Sequence, residues 1–139
     1  MFKKILVALI FTISCGVSYG QSKVADSLRS ELTTVVDPID RFDILNRLIL
    51  DLTGWKGDNI DSVYSEQMFQ IAQQLNNDSL LAISYNWLGS YFYLNKGDNS
   101  TALEYYFKAL PLVDKTSNKR RISSLYFDIA LVYFDLQNN

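Results

Sequence analysis

Apolar residues recur at helical spacing through most of the chain. The apolar positions of residues 39–52 share one helix face, namely Phe42, Leu45, Leu48, Ile49 and Leu52. A glycine-punctuated loop at 53–58 separates this stretch from a second helical pattern over 63–75, which Asp61 or Ser62 can cap. Residues 21–36 carry a thinner apolar stripe that ends before Pro38, because the residue preceding a proline avoids the helical region. The pattern predicts helices throughout and an all-α fold.

Residues 85–112 hold two further helix-length patterns on either side of Gly97 and Asp98. Small side chains alternate in them with large aromatic ones, which predicts two antiparallel helices that approach closely where the small residues lie. Gly97 supplies the permissive backbone of the turn, and Asp98 or Asn99 caps the second helix. A polar connector over 114–121 follows. Because Pro111 can end a helix, the pattern does not define the residue at which the second helix ends.

A last helix is predicted over 123–136. Its Ile129, Ala130 and Tyr133 repeat Leu88, Gly89 and Phe92 at an offset of 41 residues. We expect four of its apolar residues to pack on the preceding helices and four to remain partly uncovered. The packed set is Leu125, Ile129, Val132 and Tyr133, and the uncovered set is Tyr126, Phe127, Ala130 and Phe134.

The small–aromatic pattern resembles the tetratricopeptide repeat (TPR), a helix pair with Leu-Gly and an aromatic on its first helix and Ala, aromatic and Ala on its second. The matching positions are Leu88, Gly89, Phe92, Ala102, Tyr106 and Ala109. Ser65, Phe69 and Ala72 repeat the second-helix spacing in a degenerate earlier copy. The resemblance implies an α-solenoid with repeats at about 39–78, 79–119 and 120–139, the last one partial. It further implies an N-terminal helix and linker over 21–38.

In this family the first helices of successive repeats line a groove that binds a protein or peptide partner. Carrying those positions over gives Asn46 and Leu50 in the first repeat, and Asn86, Ser90 and Tyr93 in the second. Asparagine and tyrosine can hydrogen-bond a peptide backbone while the aromatic ring contributes contact area. The equivalent residues of the third repeat are Phe127, Leu131 and Phe134, and for these we expect packing between helices instead.

Residues 1–20 have the pattern of an export signal. Lys3 and Lys4 precede an apolar run of about ten residues, shorter than the ~20 that span a bilayer, and small residues lead up to Gly20. Cleavage after Gly20 predicts a periplasmic or cell-surface protein. Cys15 offers the alternative of a lipoprotein signal, although Thr12 fits poorly the aliphatic position that such signals favour.

The amino-acid composition argues against several kinds of metal site, catalysis and binding. The chain has no histidine, and its one cysteine, Cys15, would be lost with the signal peptide. Zinc, copper and haem sites and histidine-dependent nucleophilic catalysis are therefore not expected, nor is any cofactor or metal. The net charge of −2, which loss of Lys3 and Lys4 would make more negative, gives no support to nucleic-acid binding. The basic cluster at residues 119–121 is interpreted as a solvated turn before a helix.

No pair of carboxylates is placed for acid–base work, and Gly54 and Gly57 do not form a phosphate-binding loop. We therefore expect no catalytic residue in this chain, and we expect it to be a protein–protein interaction scaffold.

Because the last repeat lacks its second helix, we expect a longer protein. One alternative, implied by resemblance, is the exported sensor region of a repeat-containing histidine kinase or helix-turn-helix regulator, with a kinase domain downstream. Another is a lipid-anchored component of an outer-membrane assembly or uptake complex.

Overall fold

The computed structural model describes residues 23–54, 60–115 and 118–138. Within these ranges every regular element is a helix and no strand occurs, so the predicted all-α class is confirmed. The α-helices are α1 (Lys23–Thr34), α2 (Pro38–Thr53), α3 (Ser62–Gln74), α4 (Asp78–Tyr91), α5 (Asn99–Lys115) and α6 (Lys119–Asn138). The signal-peptide prediction for residues 1–20 falls outside the described residues, as do residues 55–58 of the predicted glycine-punctuated loop.

Five helices begin at a side-chain cap. Asp37 precedes Pro38 and accepts hydrogen bonds from the amides of residues 39 and 40 at the start of α2. Asp61 caps α3, Asn77 caps α4 and Asp98 caps α5, each accepting from a backbone amide two or three residues on. Asn118 does the same for α6. Short polar side chains therefore fix the starts of the helices, as the sequence predicted for α3 and α5.

A π-helical turn, Phe92–Lys96, extends α4 and leads into the predicted glycine turn. Gly97 has φ +63°, a left-handed conformation that glycine adopts without steric cost, and its amide donates to the carbonyl of Phe92. Within the π-turn, the Asn95 side chain bonds both the amide and the carbonyl of Ile60 at 3.3 Å. The turn therefore ties the end of α4 to the start of α3.

The predicted polar connector over 114–121 is wrong in its extent. Helix α5 continues through Pro111 to Lys115, and α6 already begins at Lys119. Because proline has no amide hydrogen, the carbonyl of Phe107 receives no helical hydrogen bond. Both Pro111 and Phe107 are exposed. Water can therefore solvate that carbonyl, and the helix tolerates the proline.

The helices pack in chain order, each against the next. One core cluster lies between α1 and α2, with Ala25, Leu28, Ile44 and Leu48. A second joins α2 and α3 to one side of α4, with Phe42, Leu45, Met68 and Ala72 among its buried members. A third joins α4, α5 and α6, with Ala102, Tyr106, Ala109, Leu125 and Val132 among its members. Helix α4 therefore takes part in two cores and is central to the molecule.

Helices α4 and α5 approach each other closely at Gly89. A β-carbon placed on Gly89 would lie 2.5 Å from the Cε1 atom of Tyr106, whose side chain is 1% exposed. Ala102 and Ala109, on either side of Tyr106 along α5, are fully buried. The small residues thus lie where the sequence predicted close helix packing.

Helix α6 buries Leu125, Ile129 and Val132, as expected. Tyr133 does not join them: it is 46% exposed, and Ala130 is exposed beside it. The set expected to remain partly uncovered is exposed, namely Tyr126, Phe127, Ala130 and Phe134. The other expectation, that Phe127, Leu131 and Phe134 pack between helices, is wrong, for Phe127 is 62%, Phe134 65% and Leu131 37% exposed. Ala130 corresponds to Gly89 at the offset of 41 residues. Helix α5 packs over Gly89, whereas no described helix packs over Ala130, and the residues around Ala130 are therefore exposed.

Among the helices described here, none is both long enough and apolar enough to cross a membrane.

Candidate functional site

A cavity of about 190 Å³ opens between α2, α4 and α6, and we call it the α2–α4–α6 cavity. Its polar lining residues are Asn46, Asn86, Trp87, Arg121 and Ser124, and its apolar ones are Leu50, Ala82, Ile83, Val113 and Leu125. The volume is below the ~300–1,000 Å³ of pockets that enclose whole small-molecule ligands. It suits one or two side chains of a bound protein segment better than a cofactor.

Trp87 and Asn46 form one wall of the cavity. The indole Nε1 of Trp87 donates a hydrogen bond of 2.7 Å to Oδ1 of Asn46 and thereby links α4 to α2. Because the indole uses the carbonyl oxygen of Asn46, the amide nitrogen of that side chain remains as a donor. Trp87 also packs against the core cluster of α2 and α3. This wall is therefore a rigid apolar surface with an amide at its edge.

Asn86 and Asp128 join α4 to α6 on the opposite side. Nδ2 of Asn86 donates to Oδ2 of Asp128 at 3.3 Å. The other amide atom, Oδ1 of Asn86, is buried and has no hydrogen-bond partner among the described residues. A buried acceptor of this kind costs ~1–3 kcal/mol when no donor reaches it. Asn86 therefore carries an unsatisfied acceptor at the α4–α6 contact, next to the cavity that its side chain lines.

Burial raises the pKa of Asp128 from 3.8 to about 6, because removing the carboxylate from water penalises its charged form. The tyrosines Tyr93 and Tyr106 are close enough to feel that charge, and it adds to the upward shift in their own pKa values. Asp128 lies on the inward side of α6. A negative charge is consequently held at the α4–α6 contact at a cost in stability near neutral pH.

Replacing Asp128 with asparagine should stabilise the protein at pH 7 and have little effect at pH 4. The folded pKa of about 6 lies above the unfolded value of 3.8, so the wild type loses stability as the pH rises between these values. Asparagine keeps an acceptor for Asn86. A difference of about 2 between the folded and unfolded pKa corresponds to about 3 kcal/mol in the free energy of unfolding. Because Asp128 is partly exposed, we expect a smaller gain of ~1–2 kcal/mol from the substitution.

Urea unfolding of both proteins at pH 4, 5, 6 and 7 would measure this difference. Comparing the two proteins at each pH cancels the titration of every other group. A stability difference that stays constant across this range would show that Asp128 is not the group responsible.

The side chains of Ser90 and Tyr93 form hydrogen bonds within the fold. The hydroxyl groups of Ser90 and Tyr106 lie 3.2 Å apart and share a hydrogen bond at the α4–α5 contact. The hydroxyl of Tyr93 donates to Oδ2 of Asp135 and links the π-turn to α6. Burial and the hydrogen bond to Asp135 raise the pKa of Tyr93 to about 12, so its hydroxyl stays protonated as a donor. Both residues therefore position helices around the cavity and do not line it.

The structure thus brings together two of the four candidate groove residues, Asn46 and Asn86, together with Leu50 at the mouth. Sequence reasoning missed Trp87 and Arg121 as lining residues. Arg121 was interpreted as part of a solvated basic turn, and only the return of α6 alongside α4 places it at the cavity. The basic cluster itself was the available signal, because it directly precedes the α6 apolar stripe.

No group of three or more His, Cys, Asp or Glu side chains that could hold a metal ion occurs in residues 23–54, 60–115 and 118–138.

Comparison with known proteins found no matching family model, no matching curated protein and no matching solved structure. The cavity and its contacts are therefore the basis for assigning a function.

Proposed function

We propose that this chain is a non-catalytic, exported scaffold of TPR-like helix pairs that binds an extended segment of a partner protein in the α2–α4–α6 cavity. The observation that carries the proposal is a cavity too small for a typical cofactor, lined by the side-chain amides of Asn46 and Asn86 beside apolar residues. The amide nitrogen of Asn46 can donate to a peptide carbonyl at this lining.

The repeat arrangement is supported by the packing of each helix against the next. It is further supported by hydrogen bonds between alternate helices, from Trp87 to Asn46 and from Asn86 to Asp128. These bonds connect α2 to α4 and α4 to α6, as expected if the first helices of stacked pairs line a common surface. A segment lying across them would meet the amide groups in succession.

The lining also suggests what a partner segment contains. Trp87, Ile83 and Leu50 offer apolar area to a single aliphatic or aromatic side chain. Arg121 adds a positive charge at the α6 side, which favours a carboxylate next to that side chain. The proposal is therefore for a segment with an apolar anchor and an acidic neighbour.

Selection of a phage-displayed random peptide library on the immobilised chain would test this function. Synthetic peptides made from the selected sequences should bind the wild type, and Leu50→Arg should weaken them about tenfold or more by filling the mouth of the cavity. Leu50 is 53% exposed, so the substitution leaves the core intact.

Val63→Arg is the matched control, because Val63 on α3 is also 53% exposed and lies away from the cavity. It should leave affinity unchanged. Failure to select any peptide, or equal affinity for the wild type and Leu50→Arg, would contradict the proposed function.

A further inference from the structure

The exposed side of α6 has a symmetric arrangement of aromatic residues. Tyr126 and Phe127 precede Ala130 by four and three residues, and Tyr133 and Phe134 follow it by three and four. In a helix, positions three and four residues away lie on the same face as the central residue. The two tyrosines therefore flank Ala130 on one side and the two phenylalanines on the other.

These four aromatic side chains are between 46% and 65% exposed. The intervening charged residue, Asp128, faces inward and contacts Asn86. Leu131, 37% exposed, adds to the apolar area. We call the surface of these aromatic residues, Ala130 and Leu131 the α6 aromatic face. An uncharged surface of this size on a helix usually marks an interaction site.

We propose that the α6 aromatic face is the interface of a symmetric homodimer, in which α6 of a second copy packs antiparallel with Ala130 of both copies at the two-fold axis. In that arrangement Tyr126 meets Tyr133 of the second copy, and Phe127 meets Phe134 of the second copy. Each pair occurs twice. An interface of this kind uses the same patch on both subunits and requires that patch to be self-complementary.

The small side chain at the axis suits this geometry. Within the chain, α4 and α5 approach closely at Gly89, where a β-carbon would clash with Tyr106. A helix with a large residue at the equivalent position therefore could not dock on Ala130 in the same way. A second α6 presents its own Ala130 there, so the helices can approach while the aromatic pairs pack on both flanks.

Charge favours the antiparallel orientation. The first turn of α6 carries Lys119, Arg120 and Arg121, of which at least the first two point to solvent. Antiparallel pairing keeps the basic turns of the two copies at opposite ends of the interface. Parallel pairing would instead place the two basic turns together.

The area predicts a weak dimer. A fully buried aromatic side chain covers ~150–250 Å², so four half-exposed ones contribute on the order of 400 Å² per copy. Stable dimers bury about 800 Å² per partner, and the smaller interfaces belong to transient complexes. We therefore expect reversible association in the micromolar range.

Sedimentation velocity over a concentration series would measure the association of the full chain. The wild type should shift from monomer to dimer, and Phe134→Glu should weaken dimerisation at least about tenfold by placing a charge in the interface. Phe107→Glu is the control, because Phe107 is a 48% exposed phenylalanine on α5. It should dimerise like the wild type, and circular dichroism would show that both variants stay folded.

The register is tested by crosslinking. Cys15 is the only cysteine, so Cys15→Ser removes background disulfides. In that protein, Ala130→Cys should form an intersubunit disulfide rapidly on mild oxidation, because the axis brings the two positions together. Ser100→Cys, at an exposed position of α5, should not.

A wild type that stays monomeric at high micromolar concentration would overturn the homodimer, in favour of a partner helix that covers α6 as α5 covers α4. Association that Phe134→Glu leaves unchanged would also overturn it, as would Ala130→Cys crosslinking no faster than Ser100→Cys.

Discussion

Gly89→Leu is expected to destabilise the fold by about 2–3 kcal/mol, which would lower the melting temperature by several degrees. The added side chain has to enter the space occupied by the ring of Tyr106, whose Cε1 atom lies 2.5 Å from the position of a β-carbon. Tyr106 is buried on all sides and its hydroxyl is paired with Ser90, so the ring cannot swing away without losing that bond. Leucine has the higher helix propensity, but the gain is only ~0.8 kcal/mol.

A double-mutant cycle with Tyr106→Leu would separate this clash from other effects. Without the ring, Gly89→Leu should cost much less than it does in the wild type, giving a coupling energy above ~1 kcal/mol between the two positions. Thermal unfolding by circular dichroism measures all four proteins. Melting of Gly89→Leu within a degree or two of the wild type would rule out the close α4–α5 contact.

Ala102→Glu is expected to be at least as damaging, at about 3 kcal/mol or more. Ala102 is fully buried in the core of α4, α5 and α6, so the new carboxylate would have neither water nor an ion-pair partner. Glu104→Ala, two residues further along the same helix, is the matched control. Glu104 is exposed, and surface changes of this kind stay within about 0.5 kcal/mol.

Urea unfolding of the two variants at pH 7 provides the comparison. Destabilisation of similar size in both would mean that α5 presents a different face to α4.

The helices of the described residues could be predicted from sequence because their signals are local. Apolar spacing defined the faces of α2 and α4, and short polar residues such as Asp61 and Asp98 marked where helices begin. The end of α5 was not predictable in this way. Pro111 is a helix breaker in most contexts, and only its exposed position lets the helix continue to Lys115.

The site was less accessible from sequence, because it depends on side chains that meet across helices. Asn86 and Asp128 are 42 residues apart, as are Tyr93 and Asp135, and no local pattern predicts either bond. Asn46 and Asn86, which the resemblance placed on a groove, both line the cavity. The same reasoning placed Tyr93 in the groove, whereas an acidic residue on α6 takes its hydroxyl.

The packing of helices in chain order has a consequence for how the molecule loses structure. Its extensive interfaces join segments close together in sequence, so the topology is local and each interface forms without closing a long loop. Helix α1 contributes one interface at the margin, whereas α4 belongs to two cores. Helix α6 likewise packs extensively on one neighbour, so fraying can proceed inward from α1 or from α6. Because Arg121, Ser124 and Leu125 of α6 line the cavity, loss of α6 would open it while the wall formed by Trp87 and Asn46 persists.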